Sequence, residues 1–172
     1  MLYIDIDGVL ANTDKYIYSL YPEAKNDTHM LFKTIYNNYK TMFLDSEPLI
    51  DLSILKSFDN YTLLTALPLR QKIESFCSKN NEADSILETL ANNKKQWVTK
   101  YIGKDTKLII VGKRADKIKL CKSSNDILVD DSTSTCKSWR QAGGKAFCSI
   151  DSYISSKDNI INVSEITKEE LW

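Results

Sequence analysis

The sequence predicts an α/β fold in which a central parallel sheet is covered by helices on both faces. Short apolar runs rich in β-branched and aromatic residues recur along the chain. Helical spacings of apolar residues lie between them, and the runs lack the close spacing of hairpins. Strands that alternate with helices in this way pair in parallel through crossover connections.

The elements follow in order. Met1-Leu-Tyr-Ile4 is a first strand that runs into Asp5-Ile-Asp7-Gly8. Residues 13–48 lack strand character and carry helical spacing, at Tyr16, Ile17 and Leu20 and then at Leu31, Ile35, Tyr39 and Met42. Placed directly after the first strand, they read as a small helical cap. Tyr61–Thr65 is a second strand. Leu69, Ile73, Phe76 and Cys77 fit a helix with Pro68 in its first turn. Ile86, Leu87, Leu90, Trp97, Val98 and Tyr101 fit another, stopped by Gly103. Lys107–Val111, Asp126–Asp130 and Lys145–Ser149 are further strands, and Ile160–Val163 reads as a sixth at an edge. No repeat or low-complexity tract interrupts the series.

At 172 residues the chain reads as one domain, 1–172, large enough to bury a real core. Lys+Arg and Asp+Glu balance at 23 each, which gives no electrostatic case for wrapping duplex nucleic acid. No apolar run approaches the length of a membrane span, and no charged segment precedes the first apolar stretch as in a secretory signal. A cytoplasmic protein is expected, in a host cytoplasm if viral. Cys77, Cys121, Cys136 and Cys148 show no Cys-x-x-Cys spacing and read as reduced, mostly buried thiols. With His29 the only histidine, a zinc site or a His-based catalytic pair has little to draw on. Catalysis here would lean on carboxylates and lysines.

Ligands of parallel sheets bind at the carboxyl ends of the strands. Asp5 and Asp7 end the first strand, Thr65 the second, Gly112-Lys113 follow the third, and Asp130-Asp131 end the fourth. Residues i and i+2 of a strand point the same way, so Asp5 and Asp7 start on one side. Gly8 then allows a sharp turn out of the sheet. Two carboxylates so close repel unless a proton or cation sits between them, which predicts a divalent metal. A calcium loop of the EF-hand kind does not fit, because Tyr16 stands where its glutamate is needed.

Asp5-Ile-Asp7-Gly8-Val-Leu, Leu64-Thr65-Ala66, a lysine among Lys113, Lys117 and Lys119, and Ile127-Leu-Val-Asp130-Asp131 resemble, in order, the four motifs of the haloacid dehalogenase superfamily of phosphatases. Thr65-Ala-Leu-Pro68, Lys94-Lys-Gln-Trp97-Val and Trp139 with Gly143-Gly144 resemble its 5'(3')-deoxyribonucleotidase family. The resemblance implies a three-layer Rossmann-like core with a small cap after strand 1. It implies Asp5 as nucleophile, forming an aspartyl-phosphate, and Asp7 as general acid and base. Mg2+ would be held by Asp5, the Asp7 carbonyl and Asp130, with Asp131 orienting a bound water. Thr65, Ala66 and a lysine would hold the phosphoryl group. Lys117 is the first choice and Lys113 the second. Lys94 is either an additional phosphate contact or a solvated charge on its helix. In the resembled family cap aromatics stack on the base, which singles out Tyr39 and Phe43.

The expected activity is Mg2+-dependent hydrolysis of nucleoside monophosphates, with 5'(3')-deoxyribonucleotides as the foremost class. Sugar phosphates, the 3'-phosphate of a nucleic-acid end, and a non-catalytic nucleotide-binding module are the alternatives. The expected partner is a small-molecule nucleotide, with no membrane and no duplex nucleic acid; a homodimer stays open.

Overall fold

The computed structural model describes residues 1–79 and 81–157. Its five strands are β1 (Leu2–Ile4), β2 (Tyr61–Ala66), β3 (Leu108–Val111), β4 (Ile127–Val129) and β5 (Lys145–Phe147). They form one all-parallel sheet in the order β3-β2-β1-β4-β5. β1 is central, with Leu2 opposite Tyr61 on one side and Ile127 on the other. The chain steps outward from β1 through β2 to β3, then crosses back to β4 and β5. Connections that diverge in this way leave a crevice at the carboxyl ends of the central strands.

The helices are α1 (Thr13–Leu20), α2 (Thr28–Asn38), α3 (Arg70–Glu74), α4 (Glu82–Tyr101) and α5 (Thr133–Gln141). Turns of 3-10 helix span Pro22–Lys25, Leu52–Ser57 and Arg114–Leu120, and residues 150–157 are helical. Asp27 starts α2 by accepting the backbone N–H groups of His29 and Met30 at 2.8 and 3.2 Å. Among the described residues, no helix is long and apolar enough to cross a membrane.

Strand alternation divides the core. Leu63 packs on one face with Ile4, Ile6, Leu10, Trp97, Val98 and Val129. Its neighbour Leu64 packs on the other with Leu128, Cys136, Trp139 and Ala146. A third cluster joins the 13–48 segment to α3 and α4, bringing Ile17, Ile35, Met42 and Phe43 against Ile73, Ile86 and Leu90. This segment is helical as expected and returns to the sheet through an Ala11–Pro48 bridge.

Two expectations are corrected. Pro68 precedes the Leu69 N-cap of α3, outside its first turn, because the short helix begins only at Arg70. The four cysteines are free thiols as read, but only Cys136 is buried; Cys77 and Cys121 are half-buried and Cys148 is exposed. Cys148 immediately follows β5, the last strand on that side of the sheet among the described residues. The strand expected at Ile160–Val163 lies outside the described residues.

Candidate active site

At the carboxyl end of β1 the backbone turns at Gly8, whose φ of +70° lies in the left-handed region. A Cβ at this position would stand 2.3 Å from Asp131 Oδ2. Glycine therefore serves twice, in the turn and in the close approach of the loop after β4. Val9 and Leu10 re-enter the core beyond the turn and anchor it.

Asp5 is 5% exposed. Its Oδ1 accepts the Ile6 N–H at 2.8 Å, and its Oδ2 meets Lys117 Nζ at 2.6 Å. Lys117 is itself 1% exposed and also reaches Asp130 Oδ2 at 2.7 Å. Asp130 is fully buried, and its Oδ1 accepts the Ser132 N–H at 2.9 Å. Lys117 belongs to the 3-10 turn after β3, which packs against β2, β3 and α5. Burial would lower its pKa, but the charges and hydrogen bonds of Asp5 and Asp130 outweigh burial and raise it. Burial pushes the Asp5 carboxyl up to about 7, with Lys117 opposing and Asp130 and Asp7 adding to the rise. Loss of hydration, then the charges of Asp130 and Asp14, push Asp131 up to about 6.

Asp7 faces a different set of partners. Its Oδ2 accepts the Thr65 hydroxyl at 3.0 Å and forms an ion pair with Lys94. Lys94 Nζ also donates to Thr65 Oγ1 at 2.7 Å and lies 4.1 Å from the centre of the Phe43 ring. Lys94 is 1% exposed although it belongs to a long, largely polar helix. The buried face of α4 runs through Ile86, Leu90, Asn93, Lys94, Trp97 and Val98. It is apolar at both ends and polar where it crosses the site. Asp7 Oδ1 is buried and, among the described residues, has no hydrogen-bond partner. Such an atom is costly unless something outside the chain meets it.

Asp5, Asp7, Lys94, Lys117 and Asp131 line a cleft of about 300 Å³ that also includes Thr13, Ala66, Leu67 and Pro68. Its other wall comes from the helical segment, through Ile17, Tyr18, Leu31, Phe32, Ile35, Met42 and Phe43. A wider groove of about 740 Å³ along Leu55, Phe58, Tyr61 and Tyr101 holds none of the carboxylates at the sheet edge.

Of the residues singled out in the sequence, Asp5, Asp7, Lys94, Lys117, Asp131, Ala66 and Phe43 all line the cleft. Thr65 and Asp130 join them through the contacts above. Lys113 is exposed at the start of the 3-10 turn and is not part of the cleft wall. Tyr39 ends α2, is half-buried and also lies outside the wall. Sequence reading missed Asp14 and Arg114, which stand at the cleft, the latter 3.4 Å from Ser132 Oγ. Neither carries a local signal that separates it from a solvated charge. Lys94 does carry one, as a cation on the apolar stripe of its helix.

A divalent cation has a donor set here. Carboxylate oxygens of Asp5, Asp130 and Asp131 come within 4.8 Å of one another. They are hard, anionic oxygens with no histidine or thiol among them, which suits Mg2+ or Ca2+. Asp131, expected only to orient a bound water, stands with Asp5 and Asp130 in this cluster, while the Asp7 carboxylate pairs with Lys94. No protein-family model matches the chain, and no curated protein matches it in sequence.

Proposed function

We propose that this chain is a Mg2+-dependent phosphomonoesterase with the fold and mechanism of the haloacid dehalogenase superfamily. Its foremost substrates are nucleoside monophosphates, deoxyribonucleotides above all. The observation that supports this most is the pairing at the sheet edge. Two carboxylates two residues apart each meet a different buried lysine, Asp5 with Lys117 and Asp7 with Lys94. A binding module needs neither a buried carboxylate facing the cleft nor a second one with a free buried oxygen.

In the proposed reaction an Asp5 carboxylate oxygen attacks phosphorus while the ester P–O bond breaks, and Asp7 gives a proton to the departing oxygen. Water then loses a proton to Asp7 and attacks the same phosphorus. Asp5 is released and inorganic phosphate leaves. Thr65 and Lys117 would supply donors for phosphoryl oxygens as charge redistributes, while Lys94 holds the Asp7 carboxylate beside them. Mg2+ held by Asp5, Asp130 and the Asp7 carbonyl, with Asp131 beside it, would favour the ionised carboxylates and neutralise phosphate charge. The apolar wall of Tyr18, Phe32 and Ile35 suits a flat base.

A phosphate-release screen tests the reading, run with Mg2+ and with EDTA. The substrates are nucleoside monophosphates, sugar phosphates and a 3'-phosphorylated oligonucleotide. Release from nucleotides that needs Mg2+ is expected. Release from sugar phosphates alone would move the substrate class, and nucleotide binding without release would leave a binding module.

A further inference from the structure

We propose that Phe43 is a positioning residue for Lys94, and through it for the Asp7 carboxylate, rather than a platform for the substrate's base. The proposal rests on the phosphatase reading of the site. An ammonium group has three N–H donors. Those of Lys94 face Asp7 Oδ2, Thr65 Oγ1 at 2.7 Å, and the Phe43 ring, with Nζ 4.1 Å from the ring centre. A cation at that distance over a ring face is held by the ring's quadrupole, and more strongly when water is excluded. Water is excluded here, since Lys94 is 1% and Phe43 3% exposed. The ring thus packs against the same ammonium that pairs with Asp7 and Thr65.

The consequence reaches the reacting atoms. With Oδ2 of Asp7 held by Lys94 and Thr65, Oδ1 is the buried oxygen left without a partner among the described residues. Fixing one oxygen fixes the other, and Oδ1 is the atom that would trade a proton with the leaving group. Phe43 is itself fixed. It sits in the stretch that returns from α2, and α4 clamps that stretch on both sides of it. Asn93 Nδ2 donates to the carbonyls of Tyr39 and Lys40 at 3.0 and 2.9 Å, and Trp97 Nε1 donates to that of Ser46 at 2.8 Å. Asn93, Lys94 and Trp97 lie on one face of α4, so a single helix face sets the ring, the ammonium and the carboxylate. The face of Phe43 that meets Lys94 is not open to a base.

The test compares Phe43→Leu, which keeps apolar volume, with Phe43→Tyr, which keeps the ring. Each is assayed on a nucleoside monophosphate and on glycerol phosphate, which has no ring to stack. In Phe43→Leu, kcat should fall by roughly two- to thirty-fold, equally on both substrates and with little change in KM. Phe43→Tyr should recover most of the loss. A loss confined to the nucleotide would overturn the proposal in favour of base stacking. A loss that tracks the melting temperature and is not recovered by tyrosine would overturn it in favour of plain core packing. Nuclear magnetic resonance of lysine-labelled protein gives a readout without turnover. The Lys94 side-chain protons, assigned by their absence in Lys94→Met, should be shifted upfield by the ring in the wild type and move back in Phe43→Leu. If the wild type hydrolyses neither ester but this shift is seen, the phosphatase reading fails while the ring–ammonium contact stands. If the shift is absent, the proposal fails whatever the activity.

Discussion

The two halves of the cleft floor use the same residue types in different numbers. Lys117 pairs with two carboxylates, Asp5 and Asp130, and a third, Asp131, stands beside those two acids. Around Lys94 stands one carboxylate, Asp7, with the Thr65 hydroxyl between them. The first half is short of positive charge, and burial, with the neighbouring acids adding to it, pushes Asp5 up to about 7 and Asp131 to about 6. The second half is balanced in charge but leaves Asp7 Oδ1 without a partner among the described residues. An acid-rich, oxygen-only cluster calls for a cation, and a balanced pair with a spare oxygen suits proton transfer. The count of charges separates the roles where residue type does not.

The largest expected effect falls on Asp5. Asp5→Asn keeps the shape of the side chain but removes the proposed nucleophile. Turnover should drop by roughly 10⁴-fold or more, as when an essential nucleophile is removed elsewhere. The circular dichroism spectrum should be unchanged. An Asp5→Asn protein with a tenth of wild-type activity would break the comparison at its base, because the cation-poor half would then not contain the attacking group.

Removing each lysine in turn sharpens the contrast. Lys117→Met leaves Asp5 and Asp130 facing each other, both nearly inaccessible to water. Breaking a buried pair in this way typically costs about 3–5 kcal/mol. Lys94→Met leaves Asp7, whose side chain is 32% exposed and can recover some hydration. The melting temperature should therefore fall further for Lys117→Met, although both lysines are equally buried. Equal losses in thermal denaturation would mean that the two halves do not differ in charge balance.

The sheet and the cation-poor half were largely legible in the sequence. Buried parallel strands read locally as apolar runs, and acids at the ends of such runs stand out. The structure trims most runs without moving them, as where β4 keeps only Ile127–Val129, and extends β2 by one residue to Ala66. The balanced half was harder to read, because Lys94 reaches Asp7 only through the rotation of a long helix far along the chain. A lysine spaced with Ile86, Leu90 and Trp97 was nevertheless a visible anomaly. Asp14 and Arg114 were not legible at all. Their place depends on how α1 and the Arg114–Leu120 turn converge, which no local pattern reports. The cap aromatics failed to separate for the same reason: spacing puts Tyr39 and Phe43 on the helical segment, but only packing distinguishes the cleft wall from its outside.

Metal and pH act together on the first half. Between about pH 4 and 7 the folded chain holds protons on Asp5 and Asp131 that the unfolded chain has released. The unfolded state then binds fewer protons than the folded, so stability without divalent metal falls as pH rises through that window. A cation that needs the ionised acids should reverse the penalty. Mg2+ should raise the melting temperature more at about pH 8 than at about pH 5. Asp130→Asn should abolish that rise and Asp7→Asn should leave most of it. A rise that survives Asp130→Asn would place the cation elsewhere.

The smallest effect concerns the wall opposite the floor. Phe32 lines the cleft and Tyr39 does not, although both belong to the same helical segment. If a base lies against this wall, Phe32→Ala should reduce kcat/KM on a nucleotide by about tenfold, since stacking on an aromatic is worth roughly 1–3 kcal/mol. Hydrolysis of glycerol phosphate should change little, because it has nothing to stack. Tyr39→Ala removes a half-buried ring outside the wall, so it should alter both substrates alike and leave their ratio unchanged. The ratio is the informative quantity, because a loss of packing lowers both activities together and cancels in it. A changed ratio in Tyr39→Ala with none in Phe32→Ala would mean that the base approaches from the far side of α2, and the cleft would then hold only the phosphoryl group.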